Sequence, residues 1–204
     1  MRIYHAACAG ILCALSIVWS SAVANARDDF MVVGPATTSP IGHHLFCGER
    51  PSDCRIDPAQ MGGPLPLDEA LLRRVSAINV AVNASIAAKS DRDLYGVEER
   101  WTYPDAAKGD CEDYALLKRR DLLAIGIKGA NLLMTVVRKR NGEGHAVLTL
   151  RTTKGDYVLD NLSLAVRRWR ETPYTFVKRQ SSDNPRRWVS IEDGADLVVG
   201  SVRK

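Results

Sequence analysis

Residues 109–119 read GDCEDYALLKR, and the rest of the chain is best understood outward from them. Asp110 is a helix-capping residue type, and a helical pattern runs over 111–125 until Gly126, the residue type that ends helices. Ala115, Leu116, Leu122 and Leu123 give that helix an apolar side. Cys111 is thereby placed in the first turn, where the helix dipole favours a thiolate over a thiol. A thiolate nucleophile needs a base, and downstream of Cys111 the one histidine is His145. His145 stands at the head of GHAVLTL (144–150), a strand that follows a hairpin turn at Asn141-Gly142. The next strand, 156–160, follows a turn at Lys154-Gly155 and ends in YVLDNL (157–162). Antiparallel pairing of these two strands sets Asp160 beside His145, where a carboxylate fixes the imidazole tautomer. Taken singly, each residue has a plainer role: a small buried cysteine, a histidine at a loop edge, an aspartate in a turn.

Upstream, 67–88 is the longest helical pattern, with Leu71, Leu72, Val75, Ile78, Val82 and Ile86 at spacings of three and four. Asp68 and Glu69 lie near its start, and Asn79 and Asn83 on the edge of its apolar stripe. Segment 132–138 reads as a strand, and 174–178 and 188–191 as weaker ones. Helices followed by hairpin-joined strands predict an α+β domain with an antiparallel sheet over 67–204.

The first 26 residues have one firm charge, Arg2, then an apolar stretch over 6–19 and the small-residue site Ala24-Asn25-Ala26. They read as a cleaved secretory signal, so the protein is expected in the periplasm or secreted, under oxidising conditions. Residues 27–66, rich in Gly, Pro and Ser, read as an irregular N-terminal segment. Within it Cys47 and Cys54 bracket FCGERPSDC (46–54), a turn-rich stretch short enough for a disulfide. The rival reading is a metal site using His43 and His44 with the same two cysteines. Export favours the disulfide and leaves Cys111 as the odd thiol.

The 204 residues carry 28 Lys and Arg against 24 Asp and Glu, a net charge of +4 that does not suggest a nucleic-acid partner. After residue 26 no apolar run is long enough to span a membrane. Two clusters, Arg167-Arg168-Trp169-Arg170 and Arg186-Arg187-Trp188, suit either polyanion binding or charged edge strands.

GDCEDYA, GHAVLTL and YVLDNL, preceded by WTYP (101–104), together resemble the bacterial transglutaminase-like cysteine peptidases, the LapG-like family. The likeness runs from Trp101 to Leu162. It implies a papain-like and transglutaminase-like fold, with a helix carrying the nucleophile on a sheet carrying His and Asp. It also implies catalytic roles for Cys111, His145 and Asp160, and a protein substrate, with a surface adhesin as the family's best-known one. Asp110, Glu112 and Asp113 crowd the thiol with negative charge that opposes its ionisation. Carboxylates suit Ca²⁺, and in relatives of this kind calcium sits beside the nucleophile, which implies Asp110 and Glu112 as ligands. No organic cofactor is expected. The Cys111 amide is the expected oxyanion donor, and Trp101, Asn79 and Asn83 are candidates for a second. Acyl transfer to an amine uses the same triad. A binding or scaffold protein that keeps the fold without turnover is the alternative of a different class.

Overall fold

The computed structural model describes residues 29–104 and 106–192; the expected signal segment and Cys8 and Cys13 lie outside them. In chain order the elements are β1 (Val32–Thr37), α1 (Ile41–Glu49), α2 (Glu69–Ser85), β2 (Ala87–Ala88), α3 (Asp91–Tyr95), β3 (Lys108–Gly109) and α4 (Cys111–Ala124). Six strands follow: β4 (Leu132–Arg138), β5 (Gly144–Thr152), β6 (Gly155–Asp160), β7 (Ser163–Arg168), β8 (Thr175–Gln180) and β9 (Trp188–Glu192). Seven strands form one sheet in the order β1-β9-β8-β4-β5-β6-β7. Every neighbouring pair in it is antiparallel.

Helix α4 packs across β4, β5 and β6, and α2 lies beside it against β6 and β7. The alternation of β5 explains the packing. Leu148 and Leu150 face the helices with Leu116 and Leu122, while Val147 faces the other side with Val158, Trp169 and Phe176. Both faces of the central strands are therefore buried, which is why their sequences read as continuous apolar runs. The two expected turns form, with Gly142 at φ 88° and Gly155 at φ 109°, a region that side chains with a Cβ rarely enter.

Asp68 caps α2 by accepting the Leu71 N–H at 2.7 Å. Asp110 occupies the corresponding position of α4, yet its side chain makes no capping bond. Instead it accepts the Asp91 N–H at 3.2 Å, so this expected cap is corrected to a tie between the start of α4 and α3.

Of the stretch expected to be irregular, 27–66, the described part, 29–66, is more ordered than its composition suggests. Its strand β1 joins the sheet edge beside β9, and α1 is a nine-residue helix. Neither shows in the sequence, because β1 is almost wholly exposed and α1 has no capping side chain. What anchors α1 is tertiary: His43 packs edge-on against Trp101 and Trp188 at ring separations of 5.4 and 5.3 Å. Its Nδ1 accepts the Trp188 Nε1–H at 3.2 Å, and burial lowers its pKa to about 4.

Cys47 and Cys54 are disulfide-bonded, with Cα atoms 5.5 Å apart. His44 is exposed and stands outside the cluster of His43, Cys47 and Cys54. The four-ligand metal arrangement is therefore not assembled in this state. A loop this short, closed in the unfolded chain, is worth about 2.5 kcal/mol of stability in the chain-entropy account. Replacing both cysteines with serine is expected to lower the unfolding free energy by about that amount in urea titration.

Strand β7 is a sheet edge and carries Arg167 and Arg168, as a charge-guarded edge does. Trp169 and Trp188, each 1% exposed, are core residues and not exposed stacking platforms. Among the described residues no helix is long and apolar enough to cross a membrane.

Candidate active site

Cys111 is the first residue of α4, and its thiol opens onto a cleft of about 460 Å³. His145, Trp101, Glu99, Glu112 and Lys178 line the same cleft. Two contacts hold the sulfur. It receives the Ala146 N–H at 3.3 Å, and its own proton points to Glu112 Oε2 at 3.2 Å. The backbone that carries His145 thus also touches the sulfur through the next residue.

Strand register accounts for the imidazole. Leu148 pairs with Leu159 and Thr149 with Val158, and extending that ladder sets Asp160 opposite Val147, diagonal to His145 on one face. The expected side-by-side placement is in fact this diagonal one. His145 Nε2 lies 2.9 Å from Asp160 Oδ1, with both side chains almost fully buried. Asp160 also accepts the Leu162 N–H at 3.0 Å and the Tyr174 hydroxyl at 2.5 Å. Burial pushes the Asp160 carboxyl up, but the bonds from His145, Tyr174 and Leu162 outweigh it and hold the pKa below its ordinary value. An ionised Asp160 accepts from Nε2–H, which leaves Nδ1 as the imidazole's basic nitrogen.

The sequence does not announce Tyr174. It enters from the start of β8, which pairs with β4 and not with β5 or β6, and its ring lies 5.5 Å from His145. A second hidden residue is Lys118, two turns along α4 from Cys111. It is 1% exposed, and among the described residues its Nζ has no hydrogen-bond partner. Burial lowers its pKa to about 7, against a smaller opposing pull from Asp160.

The acidic collar resolves into separate jobs. Asp113 is fully buried and accepts the Thr102 N–H at 2.9 Å, fastening the 101–104 loop to the helix. Burial raises its pKa to about 7. Asp91, Asp110 and Glu112 converge, with one carboxylate oxygen of each within 4.8 Å of the others. Asp91 was not legible as a member. It arrives because β2 and β3 pair in parallel and bring the start of α3 to the start of α4. Burial and neighbouring acids raise Asp91 to about 6 and push Glu112 well up. Asp91 Oδ1 and Asp110 Oδ1 are buried without partners among the described residues. Buried carboxylate oxygens of this kind, crowded and unsatisfied, suit a hard divalent cation. Without such a charge the Cys111 thiol is held protonated, because burial and the Glu112 carboxylate push its pKa well above the ordinary value.

The sequence candidates for a second oxyanion donor are all committed elsewhere. Trp101 Nε1–H donates to Glu99 at 3.0 Å. Asn79 donates to the carbonyls of Ser163 and Leu164, and Asn83 to those of Asp160 and Ser163. The two asparagines thus fix the turn after β6 from behind and do not reach the cleft.

Comparison with solved structures finds LapG of Legionella pneumophila. The calcium-bound form superposes with a TM-score of 0.51 at 19% identity, covering 64% of this chain and 72% of that one. The EGTA-treated form gives 0.49 at 20% identity, over 61% and 69%. The calcium-bound match supports a shared fold of helices on an antiparallel sheet. No curated protein sequence matches the chain. The family model of the bacterial transglutaminase-like cysteine proteinases, BTLCP, matches residues 33–196, from β1 through the last described strand. By that match over most of its length, and with a fold like that of LapG, the chain belongs to the bacterial transglutaminase-like cysteine proteinases.

Proposed function

We propose that this protein is a thiol peptidase in which Cys111, His145 and Asp160 act as nucleophile, base and orienting acid. The observation that supports this best is the His145–Asp160 pair at 2.9 Å, with His145 lining the cleft into which Cys111 opens. In this reading Sγ attacks the scissile carbonyl carbon as its proton passes to His145 Nδ1. His145 then donates that proton to the departing amine, leaving a thioester on Cys111. Water, deprotonated by His145, hydrolyses the thioester and releases the acid and the free thiol. Asp160 remains ionised and stabilises the imidazolium. The Cys111 amide at the start of α4 is the proposed oxyanion donor.

Asp91, Asp110 and Glu112 would hold a calcium ion, as the unsatisfied oxygens of Asp91 and Asp110 favour. Bound there, the ion supplies the positive charge that offsets the carboxylates beside Sγ. LapG of Legionella pneumophila, similar in fold, is known in a calcium-bound form. Calcium is expected to raise the melting temperature of the mature chain, corresponding to about 2.7 kcal/mol at a hundredfold excess over Kd. Glu112→Gln and Asp91→Asn are expected to remove most of that increase. A melting temperature indifferent to calcium and EGTA would exclude the site.

The proposed setting is the periplasm or the cell surface, from the signal-like pattern of residues 1–26, with a protein as substrate. A surface adhesin is the first substrate to try. The deciding experiment incubates the mature chain and Cys111→Ala with casein, calcium and a fluorescent primary amine. New peptide N-termini that need Cys111 support hydrolysis. Amine incorporation without cleavage would make acyl transfer the activity. Neither product, from the chain that binds calcium, would overturn both and favour a binding protein.

A further inference from the structure

A second cleft, of about 570 Å³, is linked to the Cys111 cleft through the His145–Asp160 bond, since His145 lines the one and Asp160 the other. Asp160 and Tyr174 line it, together with Arg140, Arg167 and Arg170. Its volume falls in the range of about 300–1,000 Å³ typical of ligand clefts. The three arginines reach it from separate elements. Arg140 stands in the β4–β5 turn, Arg167 faces it from β7 opposite Val158, and Arg170 is stacked over the Trp169 ring at 4.2 Å.

The charge of Arg140 and Arg167 is not spent in ion pairs among the described residues. Neighbouring basic residues are paired: Lys139 with Glu143 at 2.5 Å and Arg168 with Asp29 at 2.6 Å. Arg140 and Arg167 have no ion pair among the described residues, and both are exposed at the rim. The acids in the lining are already engaged. Asp160 accepts from His145, Tyr174 and Leu162, and Glu171 accepts the Arg168 N–H at 3.2 Å. A charged edge strand needs only to repel a neighbouring strand. It has no need to converge with a turn from two strands away on a cleft lined by Asp160.

We propose that this cleft is a specificity subsite for acidic side chains, so that substrates carry Asp or Glu on the His145–Asp160 side of the scissile bond. The guanidinium groups of Arg140 and Arg167 would bind those carboxylates. The proposal deepens the peptidase reading and rests on Cys111 marking the scissile position.

Binding is measured by fluorescence anisotropy on the full mature Cys111→Ala chain with calcium. The probes are fluorescein-labelled hexapeptides of alternating Ala and Glu, or alternating Ala and Gln. The acidic peptide is expected to bind at least tenfold more tightly, less so as salt rises. Arg140→Gln combined with Arg167→Gln, both rim positions, should erase that difference. Arg167→Glu should reverse it. Equal affinity for the two peptides, or a preference that survives the double variant, overturns the proposal. So does dextran sulfate displacing the acidic peptide at a matched charge concentration, which would mark a general polyanion patch. Failure of the wild-type chain to cleave any peptide of a proteome-derived library, with acidic binding intact, would instead sink the peptidase reading.

Discussion

His145→Ala is expected to lower kcat/KM for peptide hydrolysis at least a thousandfold, about 4 kcal/mol of transition-state stabilisation, while the melting temperature changes little. Cys111→Ala should remove turnover altogether. Joining the two changes should cost no more than the cysteine change alone, because in the proposed mechanism base and nucleophile act as one unit. The graded variants are more informative. Asp160→Asn keeps the shape but removes the ionised acceptor that selects Nε2–H, so Nδ1 is no longer fixed as the base. A loss of about a hundred- to ten-thousandfold is expected there. Tyr174→Phe removes one of three donors to Asp160 and leaves the other two, so a smaller loss is expected, about five- to thirtyfold. Steady-state rates on one peptide give the order Cys111, His145, Asp160, Tyr174. A His145→Ala chain within tenfold of wild type would overturn the assignment of the base.

Lys118→Met is expected to stabilise the protein. The amine is 1% exposed, has no hydrogen-bond partner among the described residues, and has a pKa lowered to about 7 by burial. In the unfolded chain the same group stays protonated up to about 10.4. Between those values the unfolded chain binds more protons, so stability rises with pH from about 7 toward 10 and is lowest below 7. At 1.36 kcal/mol per pKa unit the buried amine costs about 3–5 kcal/mol near neutral pH. Methionine matches the stem in length and needs no partner, so urea unfolding at pH 7 should show a gain of that order. The rise with pH should also flatten. A less stable variant would show that the ammonium is paired in the folded protein. A pH slope unchanged in Lys118→Met would assign the titration to another group.

The two sets of changes probe different layers of the site. The first acts on groups that line the two clefts. The second acts on a group behind Asp160, where α4 crosses β6, and should be read mainly in stability. A large loss of rate in Lys118→Met with a normal melting temperature would mean that the buried amine helps to set the charge of Asp160.

Much of this arrangement was legible in the chain because it is local. The α4 start follows from GDCEDYA and the helix that runs on from it, and the hairpins follow from Gly142 and Gly155, whose positive φ the turns require. Register then follows from period-two alternation, which is why His145 and Asp160 fall on one face. The pairing of β8 with β4 and of β9 with β1 was not legible, since sheet order is decided by long-range burial and not by neighbours in sequence. Tyr174 depends on that order, and Asp91 on a two-residue parallel bridge too short to leave a pattern. The capping expectation at Asp110 failed for a related reason: its side chain was claimed by the Asp91 amide, a partner that only the fold supplies. The sequence by itself determined which residues are the candidates for the chemistry and on which elements they stand. Tertiary structure alone decided what surrounds them, the third carboxylate, the tyrosine on Asp160 and the buried lysine behind it, because these come from contacts between segments far apart in the chain.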